Sequence, residues 1–187
     1  MLEAQNTLPA VKISVAKEIE KIRVDSIYEK KKHFNASGRK EKHHYWLGIP
    51  VVVVNILLGS FIMGILAVDF PAWAKWITAV AAFASASMSG VSTFLNLRKD
   101  VEGHRRVGNR YLELTRECDI ALAKYKDGII DKQELSEVLD SIKERRAQVN
   151  IDAENYSTSE DDYRKAQRGV EAGEEKYEEY EIKQLNS

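Results

Sequence analysis

Among 187 residues there is one cysteine, Cys118. No intrachain disulfide can form, and a reducing compartment is the expected home of that part of the chain. Proline is scarce too, at Pro9, Pro50 and Pro71 only, so few points force a helix to stop. Neither GxxxxGK[ST] nor GxGxxG occurs, which removes the common glycine-rich phosphate loops. A single thiol gives no zinc-ligand spacing, and no Ser–His–Asp or Cys–His arrangement stands out. The chain is expected not to be an enzyme and to need no metal or cofactor. The first 44 residues are polar and charged, so no cleavable signal peptide is expected.

Charge is missing from two long stretches, Tyr45–Val68 and Trp76–Leu97, joined by the seven-residue link Asp69–Lys75. About 20 apolar residues at ~1.5 Å rise cross a ~30 Å hydrocarbon core, and each stretch is long enough. The alternative, a soluble helical hairpin with a long apolar core, leaves the flanks unexplained. Six Lys/Arg crowd Lys30–His44 against one acid, and five crowd Arg98–Arg110 against two. The link Asp69-Phe-Pro-Ala-Trp-Ala-Lys75 has no positive excess. The positive-inside rule therefore predicts a two-pass hairpin in the bacterial inner membrane, with both termini cytoplasmic and the link outside. Tyr45, Trp46, Trp73 and Trp76 stand at the span edges, where aromatic rings favour the headgroup layer. The absence of intramembrane charge argues against a proton relay or ion-coupled transport. The basic flanks could attract nucleic acid, but their place beside the bilayer favours anionic lipid, at about 1 kcal/mol per basic residue; no nucleic-acid partner is expected.

The spans differ in chemistry. The first is aliphatic, with Asn55 as its polar exception; an amide in hydrocarbon should face protein or water. The second is built of small residues. Thr78, Ser85, Ser89, Ser92 and Asn96 form a polar stripe at ~100° per residue. Beside it runs a packing seam of Ala79, Ala82, Ala86, Gly90 and Thr93, a surface that lets helix backbones approach closely. Val80, Phe83, Val91, Phe94 and Leu95 lie opposite. The stripe could line a narrow aqueous path in a homo-oligomer, or its hydroxyls could bond back to carbonyls one turn earlier.

The cytoplasmic parts read as helices. Val11, Val15, Ile19 and Ile22 mark one before the membrane, with a break expected at Ser37-Gly38. After the second span, Leu97, Val101, His104, Gly108, Tyr111, Thr115, Cys118, Leu122 and Tyr125 continue by threes and fours. The second span is therefore expected to run on as one long helix to Asp127-Gly128. Asp131-Lys-Gln-Glu134 has the form of a capping box opening a further helix. Asp127, Asp131 and Glu134 lack the spacing of an EF-hand. Ser157-Thr-Ser159 before Glu160-Asp-Asp162 caps a last helix in a tail, 151–187, with eleven acids against five bases. There Tyr156, Tyr163, Val170 and Tyr177 repeat every seven residues, with Ala166, Gly173 and Tyr180 between. This is either a short coiled-coil seam or a solvated helix whose tyrosines meet neighbours. His43-His44 with His104 could gather at a metal; the plainer reading places them beside lipid headgroups.

The expected architecture is all-α. It comprises an N-terminal cytoplasmic helix and basic approach (1–44), a transmembrane hairpin (45–97, spans about 45–68 and 76–97, turn 69–75), a cytoplasmic helical hairpin (98–153) and an acidic C-terminal helix (154–187). With that order, the segments Thr93-Phe-Leu-Asn-Leu-Arg-Lys-Asp100 and His104-Arg-Arg-Val-Gly-Asn-Arg-Tyr111-Leu-Glu-Leu complete a pattern. Over residues 10–150 the chain resembles the SLATT family, two-transmembrane effector domains associated with bacterial nucleotide-synthesising and nucleotide-sensing conflict systems. The tail after 150 lies outside the resemblance. The resemblance implies a defence effector that oligomerises and forms a pore or perturbs the membrane, causing growth arrest or death. The trigger would be a nucleotide signal or a separately encoded sensor protein. It also implies that His104, Asn109, Arg110 and Tyr111 could contact a ligand or partner, against which stands simple packing of the long helix. From another class, a membrane-anchored scaffold that docks a partner on its cytoplasmic helices fits the same pattern.

Overall fold

The computed structural model describes residues 14–67 and 71–175, with the backbone alone in 62–67 and 92–95. The side chains of Val11, Ser92, Thr93, Phe94, Leu95, Tyr177 and Tyr180 thus lie outside the described residues. Among those described, the protein is all-helical: α1 Val15–Ala67, α2 Ala72–Leu95, α3 Leu97–Lys126, α4 Lys132–Glu154 and α5 Glu160–Glu171.

Ser14 starts α1, its Oγ accepting from Lys17 N–H at 3.3 Å, with Glu18 in the positive first turn. The helix then continues for 53 residues, about 80 Å at 1.5 Å per residue. The break expected at Ser37-Gly38 does not occur. Ala36 and Ser37 are buried against α3, where Ser37 Oγ donates to the Val101 carbonyl at 3.3 Å. Ion pairs from Arg39 and Lys40 clamp the next turn. Packing on both sides outweighs the roughly 1 kcal/mol that glycine costs in a helix. Pro50 lies inside α1 and cannot donate to the Trp46 carbonyl.

The second helix behaves in the opposite way. It does not run on past residue 95 as one long helix: Asn96 adopts φ 43°, ψ 38°, and α3 starts afresh at Leu97. The apolar periodicity passes through this elbow unchanged, so side-chain pattern alone conceals it. Asparagine is among the few side chains that tolerate the left-handed region.

Beyond the elbow, α3 runs antiparallel to the first half of α1, as the pairs Lys40–Asp100 and Arg23–Asp119 show. Gly128, at φ 70°, turns the chain, and the Asp131–Glu134 capping box opens α4. α4 returns along α3, marked by Arg145–Glu117 and Arg146–Asp25. Ile19, Ile22, Val107, Leu114, Cys118, Leu135, Leu139 and Ile142 fill the resulting core. Each fully buried aliphatic side chain there contributes about 1.5–3 kcal/mol relative to exposure. α5 then crosses back onto α1, burying Asp162, Ala166 and Gly169.

The far half of α1 and the described outer face of α2 present a different surface. Trp46 is 80% exposed, Leu57 64%, Trp76 73% and Phe83 76%. Among the described residues one helix, α1 over Val15–Phe61, is by length and composition apolar enough to cross a membrane.

Candidate functional site

Two polar constructions interrupt this apolar frame. The first lies in the crease between α1 and α2. Ala74, Thr78, Ala81, Ser85 and Met88 recur by fours and threes and form the least exposed face of α2. Ser85 Oγ donates to Asn55 Oδ1 at 2.7 Å, joining the two helices, and Ser85 is 4% exposed. Asn55 thereby finds a partner on α2, and such bonds hold apolar helices together at about 0.6 kcal/mol. Thr78 Oγ1 instead donates to the Ala74 carbonyl at 2.8 Å, one turn earlier. Toward the 61 and 71 ends the crease opens into a cavity of about 610 Å³ walled by Leu57, Phe61, Ala74 and Ile77.

The structure therefore divides the stripe read from sequence. Thr78 and Ser85 turn toward α1, Ser89 and Asn96 are exposed, and the Ser92 side chain is outside the described residues. The small-residue seam is exposed: Ala79, Ala82, Ala86 and Gly90 lie away from α1, and open space surrounds the Cβ position of Gly90. Thr93 is outside the described residues.

The second construction is a buried polar layer where α1, α3 and α5 meet. His33 and His104 approach Nδ1 to Nδ1 at 3.1 Å, with His33 3% and His104 0% exposed. His104 Nε2 is buried without a hydrogen-bond partner. Burial, then the neighbouring His104 and Lys32, pushes His33 down to about 4. Burial and Lys40 lower His104 as well, against Asp100 and Asp162. The Tyr111 ring lies 5.9 Å from that of His33, and its hydroxyl donates to Asn150 Oδ1 at 2.8 Å; burial pushes this phenol up to about 12. Burial likewise lifts the Cys118 thiol to about 11, leaving it unreactive.

Asp162 secures α5 to this layer. Burial would raise its pKa, but hydrogen bonds from Arg39 and Ser159 hold it at about 2. Arg39 donates from Nε at 3.2 Å and Nη2 at 2.8 Å, a fork on one carboxylate. Asn35 Nδ2 donates to the Asp162 carbonyl at 3.1 Å, and Tyr163 stacks on Tyr28. Past α5, Gly173 at φ 85° turns the chain so that Glu174 and Glu175 meet Lys31 and Lys30. Only glycine takes that backbone without strain.

Of the four candidate contact residues on α3, His104 and Tyr111 are interior and Asn109 and Arg110 are exposed, Arg110 pairing with Asp152. His104 is brought to His33, not to His43 or His44. Among the described residues no three His, Cys, Asp or Glu side chains gather as a metal site. Sequence reasoning left out His33, Arg39 and Asp162 as a unit. The heptad count named Ala166, which is buried, together with Tyr163 and Val170, which are not; the buried face of α5 is Asp162, Ala166 and Gly169.

A family model described as SMODS and SLOG-associating 2TM effector domain family 4 matches residues 16–181. The match extends past residue 150 and takes in α5. No curated protein and no solved structure matches the chain.

Proposed function

Because the chain belongs to the SMODS and SLOG-associating 2TM effector domain family 4, we propose that it is a non-catalytic membrane effector of a bacterial conflict system. It crosses the inner membrane twice with both termini cytoplasmic. Triggered by a nucleotide signal or a separately encoded protein, it assembles with further copies and opens a pore or otherwise perturbs the bilayer.

The observation that carries this reading is the exposed apolar surface of the hairpin. Leu57, Ile77, Val80 and Phe83 are each more than 60% exposed, and every such side chain left in water forgoes about 1.5–3 kcal/mol. Hydrocarbon removes that deficit. Trp46 lies about 30 Å along α1 from its end at Ala67, near which Trp73 and Trp76 open α2, a spacing that suits two headgroup layers. The exposed seam of Ala79, Ala82, Ala86 and Gly90 offers a second copy a close approach.

A pore lined by the polar stripe has a structural requirement. In the closed hairpin Ser85 is satisfied by Asn55; lining a lumen would separate the two and give both to water. Dye leakage from induced cells tests this with Ser85→Leu and Ser89→Leu. Both variants are expected to insert and to lose leakage by roughly tenfold or more, because a leucine in the stripe would replace a water-tolerant surface with an apolar constriction. Full leakage from both inserted variants would remove the lining role.

The inward turn of Thr78 and Ser85, with the buried apolar core lying wholly in the cytoplasmic bundle, favours a second reading. In it the hairpin only anchors, and the bundle docks a partner. Replacing 45–97 by an unrelated two-pass hairpin separates the readings: retained activity supports the scaffold, lost activity the effector.

A further inference from the structure

At the elbow between α2 and α3 a polar cavity of about 380 Å³ is lined by Asn96, Lys99, Arg106, Asn155 and Tyr156. Two acids also reach it, and both are engaged. Asp100 accepts from Lys40 Nζ at 2.5 Å, and Asp152 pairs with Arg110. Lys99 and Arg106, by contrast, have no carboxylate partner among the described residues. They are seven apart on α3 and so share one face. The cavity thus keeps two uncompensated positive charges.

Its aromatic wall is fixed in place. Arg106 Nη2 donates to the Tyr156 hydroxyl at 3.1 Å, and its guanidinium stands 5.9 Å from the ring centre. The Tyr156 ring rests on Gly103, where a Cβ would fall inside the ring. This glycine lets the ring sit against the α3 backbone. A guanidinium fork, a lysine point charge, carboxamides and a phenol on a rigid platform form a donor set suited to phosphate oxygens.

We propose that this elbow cavity binds a phosphate-bearing anion, with Lys99 and Arg106 as its cationic contacts. The ligand chemistry is a phosphodiester or phosphomonoester. The cavity directly follows the uncharged run of α2, so in the membrane reading, on which this part rests, it lies at headgroup depth and takes an anionic lipid. A soluble phosphate compound would present the same oxygens.

The experiment uses the full chain in phosphatidylcholine nanodiscs, with and without phosphatidylglycerol, and reads the thermal unfolding midpoint. A parallel arm adds inorganic phosphate to phosphatidylcholine discs, against chloride at equal ionic strength. Phosphatidylglycerol is expected to raise the midpoint by about 2–4 °C in the wild type. Lys99→Gln, which breaks no described contact, should lose most of that shift, and Lys99→Gln with Arg106→Gln all of it. Lys126→Gln with Lys143→Gln, the same charge change on exposed residues outside the basic flanks, should keep it. A shift with phosphate alone assigns the site to a soluble ligand. An equal shift in wild type and both Lys99 variants, or no shift in either arm, overturns the proposal. Recovery in discs is scored separately. If the chain fails to enter them, the membrane reading falls, and the phosphate arm in detergent alone decides the cavity.

Discussion

His33 and His104 share one hydrogen bond, Nδ1 to Nδ1 at 3.1 Å, across the α1–α3 contact. One ring must donate and the other accept, so the bond requires at least one neutral ring. With His104 as donor at Nδ1, its orphaned Nε2 is an acceptor, which is cheaper to leave unpaired than a buried N–H. The contact therefore requires at least one neutral imidazole, with the two Nδ1 atoms in opposite donor and acceptor roles.

Acid should loosen the bundle in a defined window. His33 titrates at 6.5 when unfolded and about 4 when folded. Between those values the unfolded chain holds more protons, so stability is lost as pH falls, by up to about 1.4 kcal/mol per pH unit. Asp162 behaves differently: its folded value of about 2 gives stability present above 3.8 and lost as pH falls through 2. Thermal melts of the full chain in detergent from about pH 7 to 4 should show falling midpoints. A flat profile would contradict a buried neutral His33.

Gly103→Ala should destabilise the bundle by about 1–3 kcal/mol, because the new methyl group needs the space held by the Tyr156 ring. In a Tyr156→Ala background the same substitution should cost little, and the double-mutant cycle reads the difference. Gly108→Ala meets Phe34 at 2.9 Å. Phe34 is 36% exposed and can move outward, so the smaller penalty is expected there.

Asp162→Ala should release α5 from α1. It removes the Arg39 fork and the carboxylate half of the Ser159 capping box together, at about 1–3 kcal/mol given that Arg39 is partly solvated. Limited proteolysis should then cut near residues 155–160 much faster than in the wild type. If α5 also restrains the effector, deletion of 151–187 should raise basal toxicity; unchanged or lower toxicity would assign α5 a purely structural part.

Much of this arrangement was legible in the chain. The Asp131–Glu134 and Ser159–Asp162 caps follow local rules, because the donor and acceptor lie within one turn. Asn55 announced that it needed a protein partner, since an amide in an apolar run has few other options. Its choice of Ser85 depends on how the two helices are rotated against each other, which periodicity does not specify. The helix ends around the membrane were misread for a related reason. Ser37-Gly38 has the local chemistry of a break but is held straight by α3 and α5, while Asn96 breaks a pattern that looks continuous. His33 carried no local signal, because its partner is on another helix.

Asn96 supplies a direct check of the elbow. Asn96→Gly should be neutral or slightly stabilising, since glycine accepts φ 43° freely. Asn96→Ala should cost about 1 kcal/mol, the penalty of the left-handed region. Chemical denaturation of the two variants in one detergent gives the comparison; equal stabilities would mean the elbow straightens in solution.

The unbroken α1 and the bent α2–α3 connection make the two arms of the apolar hairpin unlike in backbone. Arg39, where α5 grips, and Asn55, where Ser85 is held, lie about 24 Å apart on a single rod. Helix is continuous between the two, with Pro50 inside it. The path from α3 to Ser85 instead passes the left-handed residue Asn96. The Asn55–Ser85 bond therefore joins a helix continuous with the α5 grip to one that is interrupted at Asn96.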